Sequence, residues 1–138
     1  MRLQKNTLLA LCSVLEFAAE PARALSTAEI ARKYRASPHH LAKVLGRLRR
    51  AGLLSAARGS GGGYRFSANA KRVTLLDVIA LFERIGAPAK ARTLALEGAI
   101  AQVLAEIDAT ARATFGSVTL ETMLKLARRP PAARGRAA

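Results

Sequence analysis

The sequence predicts a mainly α-helical protein with a small β-hairpin wing, built as a winged helix-turn-helix followed by a long C-terminal helix. Three observations predict this class. Apolar residues recur at helical spacing along most of the 138 residues, a glycine-rich segment separates two short strand-like segments, and basic residues are concentrated in the first half. Hydrophobic residues make up 51% of the chain, which is enough to form a buried core.

Charge is the strongest compositional signal. The chain carries 23 Lys and Arg against 9 Asp and Glu, a formal net charge of +14. Residues 1–72 hold 14 basic and 3 acidic side chains, residues 73–127 hold 5 and 6, and residues 128–138 hold 4 arginines and no acid. Positive charge confined to part of a folded chain predicts a polyanionic partner, and we expect double-stranded DNA rather than a membrane surface.

The composition also argues against several other classes of protein. The apolar runs are too short to span a bilayer, and the N-terminus lacks the apolar stretch of a signal peptide, so we expect a cytoplasmic protein. Cys12 is the only cysteine, which excludes an intrachain disulfide and an all-cysteine metal site. No HExxH, GxSxG or P-loop motif occurs, so we expect no enzymatic activity.

The first element is a helix over about residues 7–20. Its apolar residues follow helical spacing and predict a buried stripe. They are Leu8, Leu11, Cys12, Leu15 and Ala19. Because Cys12 lies on that stripe, we interpret it as a small buried hydrophobe, and a redox-active thiol is the alternative.

Two short helices follow and predict a helix-turn-helix. The segment STAE (residues 26–29) is a capping box that opens the first of them, with Ile30, Ala31 and Tyr34 facing inward. Ser37 followed by Pro38 marks the start of the second, because a hydroxyl caps a helix and proline suits its first position.

The second of these helices, over residues 37–51, combines an apolar face with a basic one. Its inward positions are Leu41, Val44, Leu45 and Leu48, and Gly52 stands where a C-terminal glycine is expected. No acidic residue occurs between residues 32 and 72, a charge pattern suited to a helix in a DNA groove. The outward positions are His39, Lys43, Gly46 and Arg50, with His40 and Arg47 beside them.

The segment RGSGGGYRF (residues 58–66) joins two strand-like segments at residues 53–57 and 64–67. It lacks the Lys-Ser or Lys-Thr and the following helix of a P-loop, so we predict a hairpin wing and not a nucleotide site. A slim glycine-rich loop that carries arginine can enter the minor groove of DNA, and a plain tight hairpin is the alternative. The candidate contacts are Arg58, Gly59, Ser60, Gly61, Gly62, Gly63, Tyr64 and Arg65.

After the wing, VTLLD (residues 73–77) predicts a capped helix with Leu75, Val78, Ile79 and Phe82 on one face. Gly86 and Pro88 are expected to end it, and residues 86–92 read as a loop. A last helix is predicted from VTLE (residues 118–121), with inward side chains at Leu120, Met123, Leu124 and Ala127.

Between them, a long helix is predicted from about residue 93 to residue 114. At ~1.5 Å per residue it exceeds ~30 Å, too long for this domain to cover alone, so we expect its apolar stripe to form a homodimer interface. The stripe consists of Leu96, Ile100, Val103, Leu104, Ile107 and Ala111. We therefore expect a DNA-binding domain at 1–86, a dimerisation and C-terminal helix region at 87–128, and a basic tail at 129–138.

These segments together resemble the Rrf-two family of bacterial winged-helix regulators, which includes IscR, NsrR and CymR. The resemblance rests on MRL at the start, on RLRRAGLLSAARGSGGGYRF, on VTLLDVI and on VTLETML, and covers about residues 1–128. It implies a homodimeric transcription regulator whose long helix crosses to the partner subunit. It also implies base or phosphate contacts for Ser37, His39, His40 and Lys43, and a minor-groove role for Arg58.

The chain departs from the cluster-binding members of that family. Those members carry three cysteines in and after the loop before the long helix, whereas GAPAKARTLALEGAI (residues 86–100) contains neither Cys nor His here. We therefore expect no iron–sulfur cluster, no other cofactor and no metal.

The sequence favours a homodimeric regulator, expected to be a repressor, that reads a pseudo-palindromic operator with helix 37–51 in the major groove and wing 58–64 at the minor groove. Its effector is open: a small molecule, a partner protein, or the thiol state of Cys12. A nonspecific or architectural nucleic-acid-binding protein is the alternative function.

Overall fold

The computed structural model describes residues 2–59, 62–85 and 94–128, which form six helices and one two-stranded antiparallel sheet. In chain order the elements are α1 (Lys5–Ala19), α2 (Thr27–Tyr34), α3 (Pro38–Arg50), β1 (Leu54–Ala56), β2 (Tyr64–Phe66), α4 (Leu75–Ile79), α5 (Ala95–Ser117) and α6 (Leu120–Arg128). The predicted fold class is confirmed: a mainly helical chain with a hairpin and a long C-terminal helix.

Local capping explains where α2 and α3 begin. The Ser26 hydroxyl accepts a hydrogen bond from the Glu29 N–H at 3.1 Å, and the Glu29 carboxylate accepts one from the Ser26 N–H at 3.3 Å. The Ser37 hydroxyl accepts from the His40 N–H at 3.4 Å, and Pro38 follows it as the first residue of α3. Both predicted helix starts are confirmed, so α2, a short turn and α3 form the helix-turn-helix.

The core lies where α1, α3, α4 and α6 meet. Leu41, Leu45 and Leu48 bring the apolar face of α3 into it, and all three are fully buried. Their fully buried partners from the other helices are Val14, Phe17, Val78, Ile79 and Leu120. This packing fixes the orientation of α3, because its four predicted inward residues are all buried.

The hairpin pairs Leu54 with Phe66 and Ala56 with Tyr64. Tyr64 also bridges to Leu25, with N–H to O distances of 3.0 and 2.9 Å, so a short segment before α2 extends the sheet on its other side. No sequence pattern predicted this third strand-like segment. It ties the wing to the start of the helix-turn-helix.

The predicted buried stripe of α1 is correct only in part: Leu11 is buried and Leu15 packs against the core, but Cys12 is only partly buried and the ends of the stripe are exposed. The helix buries Ala10, Val14 and Phe17, whereas Leu8 is 50% exposed and Ala19 is exposed. Apolar residues occupy nearly every turn of α1, so two neighbouring stripes were compatible with helical spacing. The large Phe17 ring decides between them, because it fills the core and packs edge-on against the Tyr64 ring, with 6.5 Å between the two ring centres.

The helix predicted after VTLLD is shorter than expected. A capping box between Thr74 and Asp77 begins α4, but α4 ends at Ile79, five residues later, and the chain continues in tight turns through Phe82. The predicted stops at Gly86 and Pro88 lie outside the described residues. In α6, Leu120, Met123 and Leu124 contribute to burial as predicted, but Ala127 is exposed.

The long helix α5 runs from Ala95 to Ser117 and has no buried residue. Only its C-terminal part contacts the core, through the partly buried Ala111 and Phe115. The start predicted at residue 93, the loop at 86–92, the domain boundary at 86 and the tail at 129–138 fall outside the described residues. Among the described helices, none has the length and hydropathy needed to cross a bilayer.

Candidate DNA interface

The outward face of α3 is the first component of the site. The predicted positions His39, Lys43 and Arg50 are all exposed on it, and Gly46 lies between them. Ala42 is exposed on the same face, one position before Lys43. Ala42 was not predicted from the sequence because it is neither charged nor polar, although a small exposed apolar residue can contact a thymine methyl group.

Two predicted members of this face hold partners inside the protein. The His40 Nε2 atom lies 2.6 Å from the Asn6 Oδ1 atom on α1. The Arg47 guanidinium donates to the Leu81 carbonyl oxygen at 3.0 Å and lies 5.4 Å from the centre of the Phe82 ring. Both contacts link α3 to neighbouring elements, so these residues help to fix the helix as well as border its exposed face.

The wing is the second component. Gly63 adopts φ +117°, and a Cβ atom built there would lie 2.4 Å from the Leu25 carbonyl oxygen, so only glycine fits. The predicted contacts Ser60 and Gly61 lie outside the described residues. On either side of them, Gly59 and Gly62 also adopt positive φ angles, and the Gly62 N–H donates to the Gly59 carbonyl oxygen at 3.2 Å.

The two wing arginines are exposed. Arg58 follows β1 by two residues and stands at the base of the glycine-rich loop. Arg65 lies on β2 opposite Ser55, on the face away from the buried Phe66. Arg58 and Arg65 therefore stand at different places on the wing, Arg58 where the loop begins and Arg65 along the outer face of β2.

A cavity of about 500 Å³ lies between the start of α2, the end of α3 and the wing. Ser26, Thr27 and Arg49 line it together with Ala57 and Gly63. Sequence reasoning missed this group because Arg49 projects ~100° away from Arg50 on a helix, off the face that was examined. The arrangement places an exposed arginine beside backbone amides and hydroxyls, which is a suitable environment for a phosphate group.

The cations of α3 and the wing are not neutralised by neighbouring carboxylates. Within the described ranges, three salt bridges form, and all lie elsewhere. They join Arg23 to Glu20, Lys33 to Glu16, and Lys125 to Glu121. The basic face is therefore available to a polyanion.

The apolar stripe of α5 is the third component. Leu96 is 81% exposed, Ile100 is 62% exposed, and Val103, Leu104 and Ile107 are each 57% exposed. Ala111, the sixth predicted member, is instead partly buried against the core. Five large apolar side chains in a row on one helix form an exposed patch of the kind found at protein–protein interfaces.

Cys12 lies on the outer side of α1 and is only partly buried. Burial raises the pKa of its thiol, and the nearby Glu16 carboxylate raises it further. Redox-sensing cysteines need the opposite shift, because the thiolate is the reactive form. This environment argues against the redox alternative for Cys12.

Comparison with known proteins gives one family. The model of the Rrf2 family, described as iron-dependent transcriptional regulators, matches residues 3–126. A protein of Rhodopseudomonas palustris named as an HTH-type transcriptional regulator, BadM, is 50% identical over 129 residues, which covers 91% of this chain and 83% of BadM.

Two solved structures share the fold. CymR, the global cysteine regulator of B. subtilis, superimposes with a TM-score of 0.79 at 24% identity, covering 91% of this chain and 98% of CymR. IscR of T. potens superimposes with a TM-score of 0.68 at 24% identity, covering 98% of this chain and 94% of IscR. Both confirm the winged-helix architecture with a long C-terminal helix.

The family description names iron, and the donors of this chain do not fit an iron–sulfur cluster. The whole sequence contains one cysteine and two histidines. His39 and His40 are neighbours on the exposed side of α3, and His40 is already bonded to Asn6. Among the described residues, no three His, Cys, Asp or Glu side chains converge on a metal position.

Proposed function

Because the chain belongs to the Rrf2 (Rrf-two) family and is a DNA-binding transcriptional regulator, we propose that it acts as a homodimeric repressor reading a pseudo-palindromic operator. The observation that carries the proposal is the exposed basic face of α3 beside a glycine-built wing. No acidic residue occurs between residues 32 and 72, which include both elements.

In this proposal α3 enters the major groove. Ser37 caps α3, His39 and Lys43 lie in its first half, and the first residues of a recognition helix are the ones that reach base edges. Ala42 adds a methyl group for contact with thymine. Arg50 and Arg49 lie at the other end of α3 and bind phosphates on two sides of the helix, which sets its position on the duplex.

The wing binds the adjacent minor groove. Arg58 is its reader, because a narrow A·T-rich minor groove has an enhanced negative potential that attracts arginine. The glycines let the backbone approach the sugar-phosphate chain closely, which bulkier residues would prevent. Arg65, on the outer face of β2, binds phosphate or stays in solvent.

Dimerisation is supported by the exposed stripe of α5. A second copy that buries these five side chains would remove a large apolar surface from water. A two-fold dimer presents two α3 helices to two half-sites about one helical turn apart, which is why the operator is expected to be pseudo-palindromic.

Repression is the action that this architecture supports most directly. The proposal needs only α3 and the wing for DNA contact and α5 for dimerisation, and none of these roles requires another protein. A dimer that occupies a promoter blocks access to it without further contacts.

Hydroxyl-radical footprinting tests this function. The DNA is an operator enriched from a random-sequence pool with the purified full chain. We expect two protected half-sites related by two-fold symmetry, with centres about 10 base pairs apart or a multiple of that spacing. A single protected site, or uniform weak protection, would contradict the dimeric reader.

We also propose that this chain binds no iron–sulfur cluster. The expected outcome is a colourless protein when it is purified anaerobically, with iron well below one atom per chain by elemental analysis. Stoichiometric iron together with a visible charge-transfer band would overturn this part of the proposal.

A further inference from the structure

We infer that a cavity between α1 and the turn joining α2 to α3 binds a small organic anion with an apolar body, and that its occupancy regulates DNA binding. The cavity has a volume of about 490 Å³, within the range of small-molecule sites. The inference rests on the proposed function, because the regulated activity is operator binding.

One wall of the cavity is apolar. Leu8, Leu9 and Cys12 line it from α1, and Leu8 is half exposed. A hydrocarbon group placed against this wall would remove apolar surface of both partners from water, which favours binding. A phosphate group alone offers no apolar surface for such a wall, so the wall favours an occupant with a hydrocarbon part.

The rim of the cavity is cationic. Lys5 and Arg35 line it, and no carboxylate does. Neither cation belongs to a salt bridge among the described residues. A guanidinium binds a carboxylate through paired hydrogen bonds, so charge complementarity favours an anionic head group.

The neighbouring carboxylate is already neutralised. Glu16 accepts hydrogen bonds from Lys33 at 2.6 Å and from the Tyr34 hydroxyl at 2.5 Å. It therefore competes little for Lys5 and Arg35, and Tyr34 is held in place as part of the cavity wall.

Arg35 stands at the hinge of the helix-turn-helix. It adopts the left-handed conformation with φ +52°, which is uncommon for a residue other than glycine. Its N–H donates to the Arg32 carbonyl oxygen at 3.4 Å, and the Ala36 N–H donates to the Ala31 carbonyl oxygen at 2.9 Å. A ligand that binds the Arg35 side chain therefore acts on the turn that orients α3 against α2.

The cavity shares residues with the DNA-reading face. Ser37 and His40 line it, and the His40–Asn6 hydrogen bond of 2.6 Å lies at its edge. An anion in the cavity would compete with Asn6 for His40 and change the position of the start of α3. A ligand that favours one arrangement of α3 must change DNA affinity, and DNA must change ligand affinity by the same factor.

The binding part is tested on the free full-length chain by two-dimensional ¹⁵N–¹H NMR titration with octanoate, 4-phenylbutyrate and the uncharged 4-phenylbutyramide. We expect saturable shifts at the amides of Leu8, Cys12, Arg35 and His40 with at least one carboxylate. The amide should bind about tenfold more weakly, because it lacks the charge that Lys5 and Arg35 recognise.

A matched pair of variants identifies the head-group site. Arg35→Asn removes the charge while keeping a residue that tolerates the left-handed conformation, and should weaken carboxylate binding about tenfold. Arg23→Asn, a charge removed outside the cavity, should leave it unchanged. The site is overturned if no carboxylate gives saturable shifts at these amides, or if the two variants behave alike.

The regulatory part is tested separately with the enriched operator. Saturating carboxylate should change the operator dissociation constant about fivefold or more. Binding without any change in operator affinity would overturn the regulation. Operator binding without carboxylate binding would overturn this inference and leave the proposed function standing, and this is the result expected if a second copy of the chain covers Leu8.

Discussion

At the scale of single residues, Gly63 connects the wing to the helix-turn-helix. The replacement Gly63→Ala combines a strained φ of +117° with a Cβ atom 2.4 Å from a backbone oxygen. We expect it to lower the free energy of unfolding by at least about 2 kcal/mol, measured by urea denaturation. In Gly59→Ala, no atom lies within 4 Å of the added Cβ, so its cost should be clearly smaller. Equal effects would show that the contact with Leu25 is unimportant.

The Cys12 thiol should react slowly with alkylating reagents. Because burial and Glu16 raise its pKa, less thiolate is present near neutral pH than for a cysteine in solution. We expect alkylation by iodoacetamide at pH 7.5 to be slower than that of free cysteine and to accelerate as pH rises. Cys12→Ser should bind the operator as the parent does, with or without reductant. Faster alkylation, or an affinity that depends on reductant, would restore the redox alternative.

Replacing Arg58 and replacing Arg50 should weaken DNA binding in different ways. Arg58→Ala should weaken operator binding and reduce the preference for A·T-rich flanks, since the minor groove is narrow there. Arg50→Ala should weaken binding to all sequences evenly and reduce the salt slope by about 1, as expected for one phosphate contact. Fluorescence anisotropy across a salt series measures the sequence preference and the salt slope of each variant, with Arg128→Ala on α6 as the control. If the two variants behave alike on every DNA, these roles are wrong.

Residue type and spacing predicted part of this face but not its internal contacts. His39, Lys43 and Arg50 could be placed because α3 has an unambiguous apolar face opposite them. His40 bonds to Asn6 on α1, and Arg47 bonds to Leu81 after α4. Each pair is separated by 34 residues in the sequence, and no local pattern encodes contacts over that distance. Arg49 was missed because its role depends on the wing, which lies beside it only in the folded chain.

At the scale of elements, predictions succeeded where caps or faces were distinct. The Ser26 and Ser37 caps located α2 and α3, and the glycine-rich segment located the hairpin. Which apolar stripe of α1 is buried could not be predicted, since two stripes fit the helical spacing. Only the packing of Phe17 in the folded chain decides between them. The end of α4 was also missed, because the turns after Ile79 are stabilised by tertiary contacts such as the Arg47–Leu81 hydrogen bond.

The stripe on α5 gives the prediction at this scale. Ile100→Glu places a charge in the proposed interface, and we expect it to convert the dimer to a monomer in sedimentation velocity. Operator affinity should fall about tenfold or more, because the two half-sites are then bound independently. Gln102→Glu adds the same charge ~145° away from the centre of the stripe and should remain dimeric. A dimeric Ile100→Glu protein would place the interface elsewhere.

At the scale of the whole molecule, the wing, α3 and α5 are held by one core. Arg47 donates to the Leu81 carbonyl oxygen at 3.0 Å, and Arg112 of α5 donates to the Ile85 carbonyl oxygen at 3.2 Å. The segment between α4 and residue 85 thus contacts both the recognition helix and the long helix. In the proposed dimer, relative movement of the two subunits would be transmitted to α3 through this segment, which would link dimer geometry to half-site spacing.

The family and the charge distribution together make sequence-specific DNA binding the central claim. A chain with a net charge of +14 binds any DNA at low salt, so affinity alone does not test it. Only the ratio between specific and nonspecific binding separates a regulator from an architectural protein.

The most direct measurement is fluorescence anisotropy of the full chain with its enriched operator and with a shuffled duplex of the same composition, across a salt series. We expect a preference of about 1,000-fold or more at moderate salt. The salt slope reports the number of phosphates contacted and base contacts release no counterions, so the preference for the operator should persist across the series. Equal affinities and equal slopes for the two duplexes at every salt concentration would contradict the account and indicate a nonspecific architectural protein.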